Sequence, residues 1–384
     1  MEKDIAAGFE QYFGELPDPR VERKILYPLQ EVLFVVLCGV ICGAESWREF
    51  VLFGKEKLDF LREYFPFEFG IPCKNTFARV CGAIDPEKFR VCFLKWVSSL
   101  QKGLKEGIAI DGKTLCNSAD VSKDVPSIHM VSAFGTESKL VLGQEKVAHK
   151  SNEITAIPAL LDVLDIKGHT ITIDAMGCQK AIARKIQDQG GEYVLALKGN
   201  QGTLNEEVRL FLETELAKPV STALSDTHVE ADKGHGRVET RKCVVSHQID
   251  WLAQKSEWSG FKTIAMIEET REIKGRASTE RRFFISSLPA DAKQIAHAVR
   301  AHWLVENTLH WTLDVVFNED KSTVRKDHAP QNMAIVRHLV LNLLNNAKQH
   351  FKKGTSLKGL RKSAGWVSTA NNLNGDWSEI DQVA

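Results

Sequence analysis

The chain has 384 residues, 43% hydrophobic and 26% charged, values that fit folded globular domains and exclude extended disorder. At roughly 150 residues per domain, the length predicts two or three domains. Lys plus Arg (50) balances Asp plus Glu (50), so the formal charge is zero and a uniformly basic nucleic-acid coat is excluded, whereas a local basic patch is not.

The charge is unevenly spread. From Lys321 to Lys362, ten Lys and Arg stand against one acid, Asp327. Such a block suits a protein that grips phosphate at one end, or a solvated helix face. The cysteines, Cys38, Cys42, Cys73, Cys81, Cys92, Cys116, Cys178 and Cys243, form no C-x-x-C pair. Cys38 and Cys42 read as small core residues. The opening Met1-Glu-Lys-Asp lacks the pattern of a secretory signal, and the longest apolar run, Val32 to Ala44, is too short to span a bilayer. The expectation is a reduced, cytosolic protein with no membrane partner and no structural zinc.

Residues 1–100 read as helical. Apolar positions recur at helical spacing over Leu29–Ile41, Lys55–Phe65, Phe77–Ile84 and Pro86–Leu100. Asp85 is placed as an N-cap with Pro86 in the first turn. With Arg20, Arg23, Lys24 and Arg79 among them, these helices form either a DNA-docking module or a plain helical packing domain.

The pattern changes at residue 107. Glu106-Gly-Ile-Ala-Ile-Asp111 is a buried strand ending in an acid; Ser127–Phe134 and Leu140–Ala148 read as two more strands. A helix follows through Leu164 with Ser151 as its N-cap. His169–Asp174 is a fourth strand, again ending in an acid, then come a helix over Gln179–Gln189 and a fifth strand over Glu192–Lys198. This order, βββαβαβ, is the ribonuclease-H-like one and predicts a mixed sheet. Residues 203–217 look helical. Strands over Val238–Val245, Phe261–Glu268 and Arg281–Ser287 form a β-rich insertion at about 205–290, before helices over 290–313 and from Pro330 to about Lys348.

Asp111 and Asp174 end strands that neighbour each other in this order, so their carboxylates stand side by side. Close carboxylates repel unless a cation lies between them. All-oxygen ligands favour Mg²⁺ or Mn²⁺. Glu306, in His302-Trp-Leu-Val-Glu306-Asn, sits mid-helix and fits a third acid; Asp314, Glu319 and Asp320 compete for that place. Three carboxylates can hold two ions roughly 4 Å apart, the arrangement that cuts phosphodiesters.

Gly107-Ile-Ala-Ile-Asp-Gly112-Lys113-Thr114 also matches the phosphate-loop pattern G-x-x-x-x-G-K-[ST]. Its four middle residues form an apolar strand, however, and polar, turn-rich sequence stands where the helix belongs, so nucleotide hydrolysis is rejected. Lys113, Lys198, Asn200, Arg237, Arg241, His302 and Lys321 are the candidate DNA contacts, placed to hold phosphates rather than read bases. Trp303 and Trp311 flank Glu306 and suit either stacking on an unpaired base or core packing. His235 reads as a phosphate-side or a turn residue.

Ala109-Ile-Asp111-Gly-Lys113, Lys150-Ser-Asn-Glu-Ile154, Thr172-Ile-Asp174-Ala, Tyr193-Val-Leu-Ala-Leu-Lys198-Gly-Asn200-Gln201, His235-Gly-Arg237-Val-Glu-Thr-Arg241 and His302-Trp-Leu-Val-Glu306-Asn occur in this order. Together they resemble the DDE transposases of the H-repeat-associated (ISAs-one) group of insertion sequences, over nearly the whole chain. The resemblance implies a ribonuclease-H-like core with a β insertion, preceded by a small all-helical domain. It also implies Asp111, Asp174 and Glu306 as a metal-binding triad, and Mg²⁺-dependent cleavage and strand transfer on double-stranded DNA, both element ends and target. A homodimer on DNA is expected, because two ends must be brought together. Where related enzymes carry Tyr, Arg and Lys around the last acid, this chain has Val299, His302 and Leu313, which leaves His302 and Lys321 as candidates for the missing roles. The boundaries expected are 1–100 for the helical domain, 101–345 for the catalytic domain and 346–384 for a basic tail. The alternatives are a stand-alone metal-dependent nuclease of the same fold and a decayed DNA-binding remnant.

Overall fold

The computed structural model describes residues 3–366, apart from 101–102, 121–124, 149–150, 235–236, 349 and 353. His235, Lys150 and the outer part of the expected tail, 367–384, lie outside the described residues.

Six helices precede the sheet: α1 (Lys3–Phe13), α2 (Leu29–Ile41), α3 (Trp47–Glu56), α4 (Leu58–Leu61), α5 (Lys74–Ala83) and α6 (Pro86–Leu100). Asp85 caps α6 as expected, its Oδ1 accepting from the N–H groups of Glu87 (2.9 Å) and Lys88 (3.3 Å). The helix expected over Lys55–Phe65 is instead the end of α3 and the short α4. A capping box at Ser46 and Glu49 starts α3 earlier, and Lys57 leaves helical geometry at φ −115°.

The strands are β1 (Gly107–Thr114), β2 (His129–Gly135), β3 (Val141–Lys146), β4 (Thr170–Ile173), β5 (Glu192–Leu197), β6 (Asp226–Gly234), β7 (Arg237–Ser246), β8 (Thr263–Ile273) and β9 (Arg276–Ser286). They form one mixed sheet in the order β3-β2-β1-β4-β5-β9-β8-β7-β6, the ribonuclease-H-like arrangement with β1 and β4 adjacent and parallel. The inserted strands extend this same sheet, because β9 pairs with β5 from Val194↔Ser286 to Leu197↔Phe283. Helices α7 (Glu153–Asp162) and α8 (Lys180–Asp188) lie in the crossovers that β1, β4 and β5 need to run parallel; α9 (Gly202–Ala217) leads into the insertion. The first of these begins at Glu153, with Asn152 rather than Ser151 in the cap position; the Ser151 hydroxyl bonds Thr155 Oγ1 (2.6 Å) instead.

After the sheet come α10 (Ala292–His302), a π-helical segment (Val305–His310), α11 (Trp311–Val315), α12 (Ala329–Lys348) and α13 (Leu357–Trp366). Helix α10 packs on β1 and β4. Helix α12 is buried along most of its length and lies among α2, α5, α6 and β3. Its Asn342 bonds both the N–H (2.7 Å) and the C=O (2.9 Å) of Val141, which satisfies the outer edge of β3. Its Asn332 donates to the carbonyls of Cys81 (2.8 Å) and Ile84 (2.9 Å) at the end of α5. One apolar core therefore runs from Phe34 and Phe93 in the helical layer through Val340 to Ile108 and Tyr193 in the sheet.

The cationic block from Lys321 to Lys362 is not one phosphate-gripping face. Arg337 is buried against Glu319 (3.3 Å), and part of the expected tail is α13, whose Arg361 is also buried. Arg361 donates to the carbonyl of Val40 at the end of α2 (2.8 Å) and to that of Val316, and its guanidinium lies over the Phe317 ring (4.4 Å).

Candidate active site

Strand β1 stays extended from Gly107 to Thr114 and pairs with β2 from Ile108 through Thr114, so the phosphate-loop pattern forms no loop. The parallel pairing of β1 with β4 ends at Ile110↔Ile173. Asp111 and Asp174 are the next residue on each chain, and so stand side by side. The Asp174 Oδ1 accepts from the N–H groups of Met176 (2.9 Å) and Gly177 (3.4 Å), an Asx turn that fixes the carboxylate. Glu306 is the second residue of the π-helical segment, which packs on β1. Such turns are rare and recur at functional sites.

Burial, followed by the like charges of Glu153, Asp174 and Glu306, pushes the Asp111 carboxyl up to about 7, against one hydrogen bond from Gly112 N–H. Glu153 was not among the expected site residues. It opens α7, and its Oε1 lies 2.7 Å from His129 Nε2. His310 was also missed, although it follows Glu306 by four residues, the spacing that shares a helix face. Its Nδ1 is 3.7 Å from Asp111 Oδ2, and burial together with Lys113, His129 and His302 pulls its pKa down to about 4, so the ring is neutral.

The structure redistributes the expected DNA contacts. Lys113 is enclosed by Asp314 (2.8 Å), Asp320 (2.9 Å) and Glu319 (3.6 Å), so its charge is already paired with acids. The same contacts engage the three other acids that compete for the third place. His302 turns inward: its Nδ1 is 3.0 Å from Thr172 Oγ1, and burial lowers its pKa to about 4, which removes it as a cation for phosphate. The Asn200 amide donates to the Ala175 carbonyl and ties the loop after β5 to the Asp174 turn. Arg241 pairs with Glu239 on its own strand and lies 3.9 Å from Glu269. Arg237 opens β7 opposite Ile273. Lys198 and Lys321 are exposed as expected. Arg282, unforeseen, lies 4.6 Å from the centre of the exposed Trp303 ring and holds Glu280 with two bonds of 2.9 Å. Alternation along β9 was the available signal for it.

Among the described residues, no three His, Cys, Asp or Glu side chains converge closely enough to close on one ion as they stand. The donor set nevertheless fits a hard divalent cation. It is all carboxylate, and a bound cation would offset both the burial and the neighbouring like charges that raise Asp111. No helix among the described residues is long and apolar enough to cross a membrane.

A sheet with paired strand-end acids and a third acid on the following helix is the frame of the DDE recombination enzymes. The family profile described as "Transposase DDE domain" matches residues 77–343, and one described as "DDE_Tnp_1-associated" matches residues 10–97. The chain belongs to the DDE transposase family, which acts on DNA and generally uses divalent metal ions. It is 44% identical to the "H repeat-associated putative transposase YhhI" of Escherichia coli (strain K12) over 360 residues, 92% of this chain and 94% of that protein. It is 43% identical to the "Putative transposase YncI" of Escherichia coli O157:H7 over 88% of this chain and 87% of that one. A shorter K12 protein named "Inactive transposase YbfQ" is 45% identical over 70 residues, 18% of this chain.

Proposed function

We propose that the chain is an active, metal-dependent transposase that cleaves the ends of its own insertion sequence and joins them to target DNA. The observation that carries this reading is the side-by-side placement of Asp111 and Asp174, with Glu306 brought to the same strand on the π-helical segment. In this reading residues 101–345 form the catalytic unit and residues 1–100 a helical unit docked on it. Asp111, Asp174 and Glu306 hold Mg²⁺ or Mn²⁺, two ions in all. When bound, such cations would supply activation of the attacking oxygen and charge stabilisation at the leaving oxygen of a phosphodiester.

The chain's own residues do the rest. The Asx turn keeps Asp174 pointed along the strand end. The neutral His310 ring lies against Asp111 and adds no competing positive charge. Exposed Lys198 and Lys321 attract the DNA backbone, and Trp303, backed by Arg282, presents a flat face next to Glu306 for an unpaired base. A dimer on DNA follows from the need to hold two ends together.

The test is strand cleavage of a plasmid carrying the gene with its own flanking DNA, in Mg²⁺ or Mn²⁺, comparing wild type with Asp174→Asn. Cuts at the element ends that vanish in the variant support transposition. Scattered cuts that are equally sensitive to the variant point to a nuclease. End binding without cutting by either protein points to a decayed enzyme.

A further inference from the structure

We propose that residues 321–328 and the exposed face of α5 form one phosphate-holding track for duplex DNA, which leads from the acid cluster onto the helical layer. The proposal rests on the transposase reading above and assigns the surface that holds the duplex beside the cut.

The track begins at the site. Asp111 and Lys113 are two apart on an extended strand and so point to the same face of the sheet. Their partners agree: His310 lies against Asp111, and Asp314, four residues further on, lies against Lys113. Lys113 stands about 7 Å along β1 from Asp111 and holds Asp320 (2.9 Å), the residue from which the segment departs.

The course of the segment is fixed along its length. Asn318 and Asp327 turn it with left-handed backbone, φ 50° and 52°, which Asn and Asp adopt at less cost than other side chains. Asn318 donates to Glu45 Oε1 between α2 and α3 (2.5 Å). The Asn117 amide donates to the Asp320 carbonyl, and the Asn117 carbonyl accepts from Arg325 Nε (2.9 Å). At the far end the His328 N–H meets the Gly82 carbonyl in the last turn of α5 (3.2 Å). A Cβ on Gly82 would stand 3.6 Å from the Lys326 carbonyl oxygen, so the segment lies on this face of α5. Arg79, three residues before Gly82, is on the same face.

Charge decides the occupant. Lys321, Arg325, Lys326 and Arg79 are all exposed. Lys321, Lys326 and Arg79 have no ion-pair partner among the described residues, and Arg325 reaches only a neutral carbonyl through its Nε. The acids of the stretch are placed elsewhere: Glu319 pairs with Arg337, Asp320 with Lys113, and Asp327 lies against Gly82. The arginines of the β insertion differ, since Arg241, Arg271, Arg281 and Arg282 each hold a carboxylate. Four cations left unneutralised along one tethered path repel one another, and gain when a polyanion runs beside them. The path starts at the strand-end acids, so that polyanion is the duplex being cut.

The experiment uses the full chain in chelator, so that no strand is broken. Binding to a fluorescent duplex carrying the element's own end, and to one of random sequence, is followed by anisotropy between about 50 and 200 mM salt. Wild type is compared with Arg79→Ala, with the pair Lys321→Ala and Lys326→Ala, with all three together, and with Lys167→Ala, an exposed residue ahead of β4 at the end of the sheet opposite the acids. All four side chains are exposed, so melting temperatures should stay at the wild-type value. We expect the slope of log affinity against log salt to become shallower by about 0.9 for each cation removed, about 2.7 for the triple variant. The loss should be equal on the two duplexes, because phosphate contacts carry no sequence preference. Lys167→Ala should keep the wild-type slope. If the triple variant keeps that slope too, the track is not on the DNA, while the transposase reading stands. A loss with Lys167→Ala as large as with Arg79→Ala would reflect net charge alone and overturn the track. If wild type binds neither duplex, the transposase reading itself fails, and the track with it.

Discussion

Replacing Asp111 with Asn should make the metal-free protein more stable while abolishing its chemistry. Asp111 is raised from 3.8 to about 7 in the fold, so the folded state prefers the protonated acid. Stability is complete below about pH 4 and is lost as pH rises through the folded value. The interval from 3.8 to about 7, at roughly 1.4 kcal/mol per unit, amounts to a penalty of about 4 kcal/mol above neutral pH. Asn removes the charge, keeps an oxygen that can accept from Gly112 N–H, and leaves the volume nearly unchanged. In chelator, Asp111→Asn and wild type should melt together near pH 4, and the variant should melt higher by on the order of 5 °C at pH 8. Added Mn²⁺ narrows the gap, because only wild type gains binding energy, about 2.7 kcal/mol at a hundredfold excess over Kd and about 4 kcal/mol, enough to close it, at a thousandfold excess. The assay is differential scanning calorimetry across pH, with and without Mn²⁺. A variant that melts at or below wild type at pH 8 in chelator, or a gap that does not change with pH, would refute the reasoning from repulsion.

Three further substitutions probe the surroundings. Lys113→Met takes the cation from Asp314 and Asp320 and leaves the buried Glu319 with Arg337 alone, and should cost about 3 kcal/mol in urea unfolding. Because Lys113 is turned away from phosphate, the salt dependence of DNA binding should keep its slope; a slope lower by about one would put it on the DNA. Arg361→Met leaves the Val40 and Val316 carbonyls without their donor and should cost about 3 kcal/mol, read by urea unfolding and by faster proteolysis between the helical layer and the sheet. Gly112→Ala drives a methyl into Glu153 and His129 and should cost about 1–3 kcal/mol by thermal unfolding; an unchanged melting temperature would mean the two side chains do not occupy that space.

The strand-end acids were legible because they need only two facts, an apolar run that stops at Asp and a strand order that makes those runs neighbours. The false phosphate loop was legible for a similar reason, since its middle residues belong in a strand. What escaped the sequence depends on contacts across long intervals or on register. Lys113 and its partner Asp320 lie 207 residues apart, so nothing near Lys113 in sequence reveals the pairing. The His129–Glu153 pair needs the β1–β2 register before it can be seen. Strand β6, Asp226-Thr-His-Val-Glu-Ala-Asp-Lys-Gly, hid because an edge strand can be polar on both sides. Helix α13 hid inside a run of lysines, where nothing marks the one arginine that goes inward. The π-helical turn under Glu306 has no signal in residue type at all.

The interlock of α12 and α13 with the first helices has a bearing on how the protein is made. Asn332 meets the carbonyl of Cys81 across 251 residues, and Arg361 meets that of Val40 across 321. At bacterial translation rates of about 5–20 residues per second, the N-terminal helices leave the ribosome on the order of 15–60 s before the segments that cover them. During that interval the apolar faces that α12 covers are bare. Helices α12 and α13 close the core last, so a chain cut short before residue 329 leaves the faces of α2, α5 and α6 that α12 packs against uncovered.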